Sequence, residues 1–324
     1  MSYVREKQVA IAAVTKAAKL CQLVRREMVI DSLEKDDKSP VTVADFGSQA
    51  LVCRELLQTF PGDSIVGEED SADLRRSDDK LAQVTQYVRR FHAEATLPII
   101  CDWIDAGNGT VGDRYWTLDP IDGTKGFLRN DQYAIALALV EQGEIRVAAL
   151  ACPALLFDLD DPESQIGTVF VAVRGEGAMM RPLVGGDFVK ISVSPQRDKN
   201  KARFVESVES GHGNHALQEA TAKAVGISQP SLRMDSQAKY GAVARGDASL
   251  YLRLPSPKSP DYREKIWDHA AGALIIQEAG GQVTDMHGRR LDFASDYRMN
   301  NNRGVVASNG VIHAAAIQAL SQTT

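Results

Sequence analysis

The sequence reads Leu118-Asp-Pro-Ile-Asp-Gly-Thr-Lys-Gly-Phe127. The residues 115–118 predict a strand that stops at Asp119-Pro120. Pro120 fixes the backbone and confines Asp119 and Asp122 to the end of the predicted strand. Two carboxylates at this spacing can converge on one hard cation, with the carbonyl oxygen of Ile121 as a third ligand. The residues that follow open a predicted helix, whose free N–H groups would face a bound anion.

The same turn also has a plain structural interpretation. Gly123 and Thr124 could simply follow an Asx-turn, with Thr124 as the N-cap of the helix. Carboxylates recur, however, at Gly67-Glu-Glu-Asp70 after a short predicted strand and at Asp45 after a charged loop. A further one, Asp268, precedes a long apolar helix, where it could be only an N-cap. We expect these segments to share one acidic pocket.

Composition and charge narrow the classes of protein that this chain can be. Its 324 residues, 44% hydrophobic and 25% charged, suffice for two domains with ordinary cores. The formal net charge of -6 argues against nucleic acid polymers and anionic membranes as partners, since both require a basic surface. We find no signal peptide and no run of 18 apolar residues, so a cytoplasmic location is expected.

Cysteine usage points to the same compartment. Four cysteines lie far apart in the sequence, with no C-x-x-C pair: Cys21, Cys53, Cys101 and Cys152. The motifs of thiolate metal sites and redox centres are therefore missing from the sequence. We expect all four to be buried apolar fillers in a reducing environment.

The first half of the chain reads as helices followed by hairpins. Apolar residues at helical spacing over 4–30 predict a packed surface helix, and a second helix is predicted from near Asp45 to Phe60. Turn residues at 141–144 and 174–177 separate strand-like runs and predict two consecutive hairpins. Consecutive hairpins indicate an antiparallel sheet.

From about residue 186, strand-like and helical runs alternate, which predicts α/β layering with some parallel strands. The predicted strands lie near 204, 232, 250–254 and 305–308, and the predicted helices near 215–225, 237–246, 268–279 and 311–320. A linker at 182–187 would separate an N-terminal domain, 1–185, from a C-terminal domain, 186–324. The predicted fold class is α/β, layered αβαβα: an N-terminal antiparallel sheet between helices, a smaller C-terminal α/β domain, and an active site in the cleft.

Four acidic segments, taken together, resemble a known superfamily. In chain order they are Asp45, 67–69, 119–124 and 267–268. They are similar to the motifs of the lithium-sensitive, magnesium-dependent phosphatases, which include inositol monophosphatases, fructose-1,6-bisphosphatases and bisphosphate nucleotidases. Longer stretches resemble the 3′(2′),5′-bisphosphate nucleotidase branch, and the resemblance covers nearly the whole chain. These stretches are Gly123–Arg129, Glu206–His212, Asp235–Tyr240, Leu250–Pro255 and Glu264–Ala271.

The resemblance implies a site for two to three Mg²⁺ ions bridged by the substrate phosphate. Glu68, Asp119 and the carbonyl of Ile121 would hold one ion. A second would lie between Asp119, Asp122 and Asp268, and Glu68 would also serve a third, weaker one. Lithium is expected to inhibit, again from the resemblance.

Roles in catalysis and substrate binding are implied in the same way. Asp45 and Thr124, beside the metal ligand Glu68, would orient and deprotonate the attacking water, since a placed carboxylate can accept the proton of metal-bound water. The implied substrate is 3′-phosphoadenosine 5′-phosphate; its sulfated analogue and inositol 1,4-bisphosphate are further possibilities within the branch. The implied substrate contacts are Gly123, Thr124, His212, Ser236, Lys239, Arg253 and Asp268.

Several of these residues also have a purely structural interpretation. Lys239 and Arg253 fit a second phosphate, which a monophosphatase would not need. However, Arg253 could be an exposed strand residue and His212 a loop residue between glycines. His269 is expected to pack beside the metal ligands without binding metal, because hard cations avoid imidazole. The acidic pair at 102 and 105 is interpreted as part of a loop.

Three rival functions remain open at this point. One is an inositol monophosphatase of the same fold, another is a non-catalytic nucleotide or metal sensor, and the third is a purely structural acidic surface. The expected partner of the chain is a small phosphorylated substrate, and neither a nucleic acid polymer nor a membrane. The oligomeric state is not predicted from the sequence.

Overall fold

Two β-sheets, covered and separated by helices, make up the described part of the chain. The structure is a computed structural model, and it describes residues 2–29, 39–195, 202–209 and 213–322. The helices are α1, Val4–Val24; α2, Ser39–Thr59; α3, Asp78–Arg89; α4, Leu97–Asp105; α5, Thr124–Leu128; α6, His215–Ala224; α7, Ala238–Ala244; α8, Ala270–Glu278; and α9, His313–Ser321. A π-helical turn, Arg25–Val29, extends α1, and a 3₁₀ turn spans Leu74–Arg76.

The first sheet contains seven strands in chain order, β1 to β7. They are β1, Ser64–Gly67; β2, Arg114–Asp122; β3, Ala134–Glu141; β4, Glu144–Leu156; β5, Ile166–Val173; β6, Gly177–Pro182; and β7, Val189–Ile191. β1 and β2 run parallel, whereas every later pair is antiparallel. The two predicted hairpins are β3–β4 and β5–β6, and both are confirmed.

Helices cover both faces of this sheet. Ile135 and Leu137 of β3 pack into the same core cluster as α1 and α2, whereas Ala136 and Ala138 pack on the opposite face with α8. Burial on both faces explains why β3 and β4 read as nearly continuous apolar runs. Alanine on the second face lets α8 approach the sheet closely.

The second sheet has the strand order β11-β12-β10-β8-β9. Its strands are β8, Phe204–Glu206; β9, Leu232–Arg233; β10, Leu250–Arg253; β11, Gln282–Thr284; and β12, Val305–Ser308. β8 runs parallel to β9 and to β10, as the alternation in the sequence predicts, while β12 is antiparallel to its neighbours. All four predicted strand positions and all four predicted helices of this half are confirmed.

The layers follow from the core clusters. Helices α7 and α8 share one cluster with strands of both sheets, so they lie between the sheets. Helices α6 and α9 pack with Leu250 and Val306 on the outer face of the second sheet. With α1 and α2 on the outer face of the first sheet, the order of layers is αβαβα. The predicted fold class is therefore confirmed.

Two predicted element boundaries are wrong. Helix α2 begins at Ser39, not near Asp45, because a proline is tolerated in the first turn of a helix. Strand β2 does not end at Leu118 but continues through Pro120 to Asp122. A β-bulge makes this possible, since Asp119 pairs with Ala136 but Asp122 pairs with Ala134. Bulges accommodate proline, which cannot donate to the ladder.

The acidic pair at 102 and 105 is not in a loop, as predicted, but on α4. Asp105 ends the helix and accepts hydrogen bonds from the backbone N–H and the hydroxyl of Ser71, at 2.8 and 2.7 Å. Arg75 donates to the same carboxylate at 2.9 Å. These bonds therefore join the C-terminal end of α4 to the segment that follows β1.

Three further expectations concern the cysteines, membrane-spanning helices and the division into domains. The four cysteines are buried and free, as predicted. Within the described ranges, none of the helices combines the length and the apolarity that crossing a membrane requires. Strand β7 pairs with β6, so the first sheet extends past residue 185. The division into two domains at that residue stays a prediction.

Candidate active site

The first pair of acidic groups is brought together by parallel strands. Gly67, at the end of β1, pairs with Leu118 of β2. Because the carboxyl ends of parallel strands lie at the same edge of a sheet, Glu68 and Asp119 come out side by side. Glu68 is exposed at the mouth of the cavity described below, whereas Asp119 is 1% exposed.

Helix α2 holds both of these strand ends in place. The Gln49 side chain accepts the backbone N–H of Glu69 at 3.1 Å, makes a further short bond to its carbonyl, and donates to the carbonyl of Ile104 at 3.0 Å. The Ser48 hydroxyl donates to the carbonyl of Pro120 at 2.8 Å. Sequence reasoning missed both residues, although they lie one turn after Asp45 on the same helix.

The turn after β2 touches the second half of the chain. Gly123 has φ 87°, and a Cβ there would lie 2.9 Å from the Cβ of Ser236. A side chain at this position would therefore be strained and would also push the two halves apart. Ser236 itself has a positive φ of 66°, which brings its backbone up to the turn.

Gln237 completes this contact, and its role was not predicted. Its backbone N–H donates to Oδ2 of Asp122 at 2.5 Å. Its side-chain amide donates to the carbonyl of Trp267 at 2.9 Å and accepts the N–H of Gly272 at 3.3 Å. One residue thus joins the aspartate of the first half to both sides of Asp268. Asp268 is not an N-cap, because α8 begins two residues later.

Three aspartates meet at this point. Oxygen atoms of Asp119, Asp122 and Asp268 lie within 4.8 Å of one another. Burial, followed by the charges of Glu68 and of the other two aspartates, raises the pKa of Asp119 well above its ordinary value. Burial also raises the pKa of Asp122, although Lys239 and the Gln237 N–H oppose it.

The two flanking carboxylates behave in the same way. Desolvation, Glu69 and Asp122 raise the pKa of Glu68 to about 7. Burial raises the pKa of Asp268 to about 7, with Asp122 adding to the shift and His269 opposing it. Carboxylates packed this closely repel one another unless protons or cations neutralise them.

The donor set fits a hard divalent cation. Oδ1 of Asp119 is buried and has no hydrogen-bond partner among the described residues. A buried carboxylate oxygen without a donor is costly, and a metal ion would satisfy it. All available ligand atoms in this cluster are oxygens, which favours magnesium, manganese or calcium over zinc.

A second acidic group, formed by Glu264, Asp268 and His269, is already engaged. Glu264 binds Arg253 and His269, at 3.2 and 3.1 Å, through its two oxygens. The other ring nitrogen of His269 meets the hydroxyl of Tyr240 at 2.7 Å. Both nitrogens of His269 therefore have partners, so it packs beside the ligands, as predicted.

Asp45 lies behind the cluster and outside the cavity lining. It is 6% exposed, and burial, then the charges of Glu69 and Glu68, raises its pKa well above the ordinary value. Its charge also acts on Asp119. The predicted general base thus neighbours the acidic cluster without itself lining the cavity.

One cavity of about 230 Å³ brings these groups together. Lys239 and Arg253 line it together with the carboxylates, and Lys239 is 3% exposed. Burial lowers the pKa of Lys239 to about 8, against the opposing effect of Asp122. The Nζ atom of Lys239 lies 5.3 Å from the ring centroid of Tyr251, a cation–π contact.

Ion pairs cross the entrance of this cavity. Lys125 of α5 donates to Glu209 at 2.9 Å, and Arg129 contacts both Glu209 and Asp235. Glu209 and Asp235 belong to the second half of the chain. The cavity is therefore formed by both halves of the chain, and these ion pairs hold the two halves together beside it.

Most of the predicted site residues line this cavity. They are Glu68, Asp119, Ile121, Asp122, Gly123, Thr124, Ser236, Lys239, Arg253 and Asp268. Asp45 lies behind the lining, and His212 lies outside the described residues. Sequence reasoning missed Gln49, Gln237 and Glu264 as structural partners; the last two do lie in stretches that carry the family resemblance.

Comparison with known proteins shows the family of this chain. The model of the inositol monophosphatase family matches residues 4–324. The chain belongs to this family. A 3′(2′),5′-bisphosphate nucleotidase of Emericella nidulans is 43% identical over 99% of both chains. Another, from Schizosaccharomyces pombe, is 43% identical over 100% of this chain and 97% of its own. The resemblance inferred from the sequence is thus confirmed.

Solved structures of the family share the fold. An inositol monophosphatase from Anabaena (Nostoc) matches with a TM-score of 0.64 and 20% identity, covering 98% of this chain and 96% of its own. An IMPase from Thermotoga maritima matches with a TM-score of 0.65 and 19% identity, over 98% of each chain. At this level of identity, the match extends to the fold alone.

Proposed function

We propose that this chain is a metal-dependent 3′(2′),5′-bisphosphate nucleotidase. The reaction is hydrolysis of the 3′-phosphate of 3′-phosphoadenosine 5′-phosphate to AMP and inorganic phosphate. The observation that carries the proposal is one cavity lined both by the acidic cluster and by Lys239 and Arg253. A cation cluster would take the reacting phosphate, and the two basic side chains the second one.

Two to three Mg²⁺ ions are the proposed cofactor. Glu68, Asp119 and the carbonyl of Ile121 would hold one, and Asp119, Asp122 and Asp268 another; Glu68 would also serve a third. When bound, magnesium lowers the pKa of water and neutralises the phosphate oxygens in the in-line transition state. Lithium is proposed to inhibit at this cluster.

Asp45 and Thr124 are the proposed water-activating pair. The water oxygen attacks phosphorus, the bond from phosphorus to the ribose 3′-oxygen breaks, and Asp45 accepts the proton of the water. The departing 3′-oxygen takes up a proton from solvent. Burial of Asp45 favours this role because it makes the carboxylate more basic.

The remaining contacts are proposed for the substrate. Lys239 and Arg253 would bind the 5′-phosphate, which Arg253 can hold in a bidentate manner. The backbone of Gly123 and Thr124 would face the reacting phosphate, and Ser236 and His212 the nucleoside. The sulfated nucleotide and inositol 1,4-bisphosphate are proposed as further substrates, because each carries a second anionic group.

A comparison of substrates tests the function. Purified protein is given adenosine 3′,5′-bisphosphate or inositol 1-phosphate, each with Mg²⁺ and with EDTA, and the released phosphate is measured. We expect release that depends on Mg²⁺ and a higher kcat/KM for the bisphosphate. A higher kcat/KM for inositol 1-phosphate would favour the monophosphatase alternative, and absence of turnover with either would favour a sensor.

A further inference from the structure

Glu264 contacts Arg253, which lines the cavity, and also His269, which lies beside the acidic cluster. It is 8% exposed, and both of its carboxylate oxygens are engaged. Oε1 accepts from Nε of Arg253 at 3.2 Å, and Oε2 lies 3.1 Å from Nε2 of His269. His269 directly follows Asp268 of the acidic cluster. The carboxylate of Glu264 therefore contacts both Arg253 and a residue adjacent to that cluster.

The contact with Nε is the informative one. Among the described residues, the guanidinium of Arg253 has no hydrogen bond besides this one. The two terminal amino groups are thus left for a bidentate contact with a phosphate, in an orientation that the Nε bond fixes. An arginine held in this way loses less freedom when a ligand binds.

A chain of contacts continues from His269 to the second basic residue. Its Nδ1 lies 2.7 Å from the hydroxyl of Tyr240, and the rings of Tyr240 and Tyr251 meet edge to face with centroids 5.1 Å apart. The Nζ atom of Lys239 lies over Tyr251. Arg253 and Lys239 are therefore linked through one set of buried side chains.

From this geometry we infer that Glu264 is a positioning residue that sets the selectivity of the cavity for substrates with two phosphates. It acts through Arg253 and touches neither the reacting phosphate nor the attacking water. This inference rests on the proposed function, because it assumes that Arg253 binds the second phosphate. It predicts a loss confined to substrates that carry this phosphate.

Glu264→Gln is the variant that tests it. The substitution keeps the shape and one acceptor oxygen but removes the charge that holds Arg253. Activity is measured on adenosine 3′,5′-bisphosphate and on adenosine 3′-phosphate, which lacks the second phosphate. We expect kcat/KM for the bisphosphate to fall about tenfold, mainly through KM, because a charge-assisted bond is lost. The value for the monophosphate should change much less.

Glu206→Gln is the matched control. Glu206 is also 8% exposed and also binds one arginine and one histidine, Arg233 at 3.1 Å and His215 at 3.4 Å, but it does not line the cavity. We expect this variant to keep the preference of the wild type. Thermal unfolding is followed for both variants. If Glu264→Gln does not fold, Glu264→Asp replaces it, because its shorter side chain withdraws the carboxylate from Arg253 and should give the same loss.

Two results would overturn the inference. One is a folded Glu264 variant with the wild-type ratio of kcat/KM between the two substrates. The other is an equal loss of that ratio in Glu206→Gln, which would point to a general effect on stability. A wild-type protein that shows no preference for the bisphosphate would instead overturn the proposed function, and the inference with it.

Discussion

At the scale of single residues, the site is a concentration of negative charge that the fold does not neutralise by itself. Asp119 has a buried oxygen that no described residue donates to, and burial and like charges raise the pKa values of Glu68 and Asp268 beside it. Such a cluster costs free energy in the folded state. Binding of divalent cations is a function that would require such a cluster despite this cost.

Asp45 permits a sharp test at this scale. We expect Asp45→Asn to lower kcat by about 10²- to 10⁴-fold, because the amide cannot accept the proton of the attacking water. KM should change little, because Asp45 is proposed to act on the attacking water and not on the substrate. Steady-state kinetics with saturating Mg²⁺ measure both.

Asp70→Asn is the matched control for that change. Asp70 is exposed and directly follows Glu68 and Glu69. Among the described residues, its side chain accepts one hydrogen bond, from the backbone N–H of Ala72 at 2.8 Å. This variant should keep the wild-type kcat. A kcat of Asp45→Asn within a factor of three of the wild type would contradict the role assigned to Asp45.

At the scale of secondary structure, the bulge of β2 and the short helix α5 aim the aspartates. The bulge lets Pro120 remain in the strand while Asp119 and Asp122 both reach the edge of the sheet. Close backbone approach then fixes α5. A Cβ on Gly126 would lie 2.0 Å from the carbonyl oxygen of Gln132 and 3.1 Å from Asp235.

Gly126→Ala should therefore destabilise the protein. The backbone oxygen that the methyl group would meet cannot move away easily, so we expect a loss of about 1–3 kcal/mol in the free energy of unfolding. Urea denaturation measures it through the midpoint at constant slope. Gly112→Ala is the control, because a Cβ there meets no atom within 4 Å. Equal midpoints for the two variants would contradict the predicted clash.

At the scale of the whole molecule, the cavity exists only where the two halves meet. Gln237 joins Asp122 to the backbone on both sides of Asp268. Lys125 and Arg129 of the first half form ion pairs with Glu209 and Asp235 of the second. Binding of metal at the acidic cluster should thus stabilise the contact between the halves, and with it the folded chain.

The pH dependence of this effect has a definite sign. Glu68 and Asp268 have folded pKa values of about 7, above the ordinary value of about 4 for carboxyl groups. Between these values the folded chain binds more protons than the unfolded one, so without metal the free energy of unfolding falls as pH rises. Their stabilising contribution is complete below about pH 4 and is lost as pH passes through about 7.

Magnesium should reverse this trend, because it binds the deprotonated carboxylates. We expect the rise in Tm on adding Mg²⁺ to be larger at about pH 8 than at about pH 5. Thermal unfolding in EDTA and in Mg²⁺ at both pH values measures it, and Asp268→Asn should reduce the difference. A rise in Tm that is the same at both pH values would contradict the account.

Much of this protein could be predicted from its sequence. The hairpins, the alternation of elements in the second half and the acidic motifs are local patterns, and local patterns survive in the folded state because each depends on neighbouring residues. The fold class, the family and the residues of the acidic cluster were all within reach. The bulge at Pro120 and the start of α2 were not, because the pairing register and tolerated prolines depend on context.

Only the tertiary structure decided which side chains support the site. Gln49, Gln237 and Glu264 act by hydrogen bonds to residues that are distant in sequence or belong to another element, and such bonds leave no local pattern. The same is true of Asp45, whose place beside the acidic cluster depends on how α2 packs against β2. The sequence alone thus determined which chemistry the chain can perform, whereas the packing of its two halves determined the geometry, since distance and burial are properties of the folded chain.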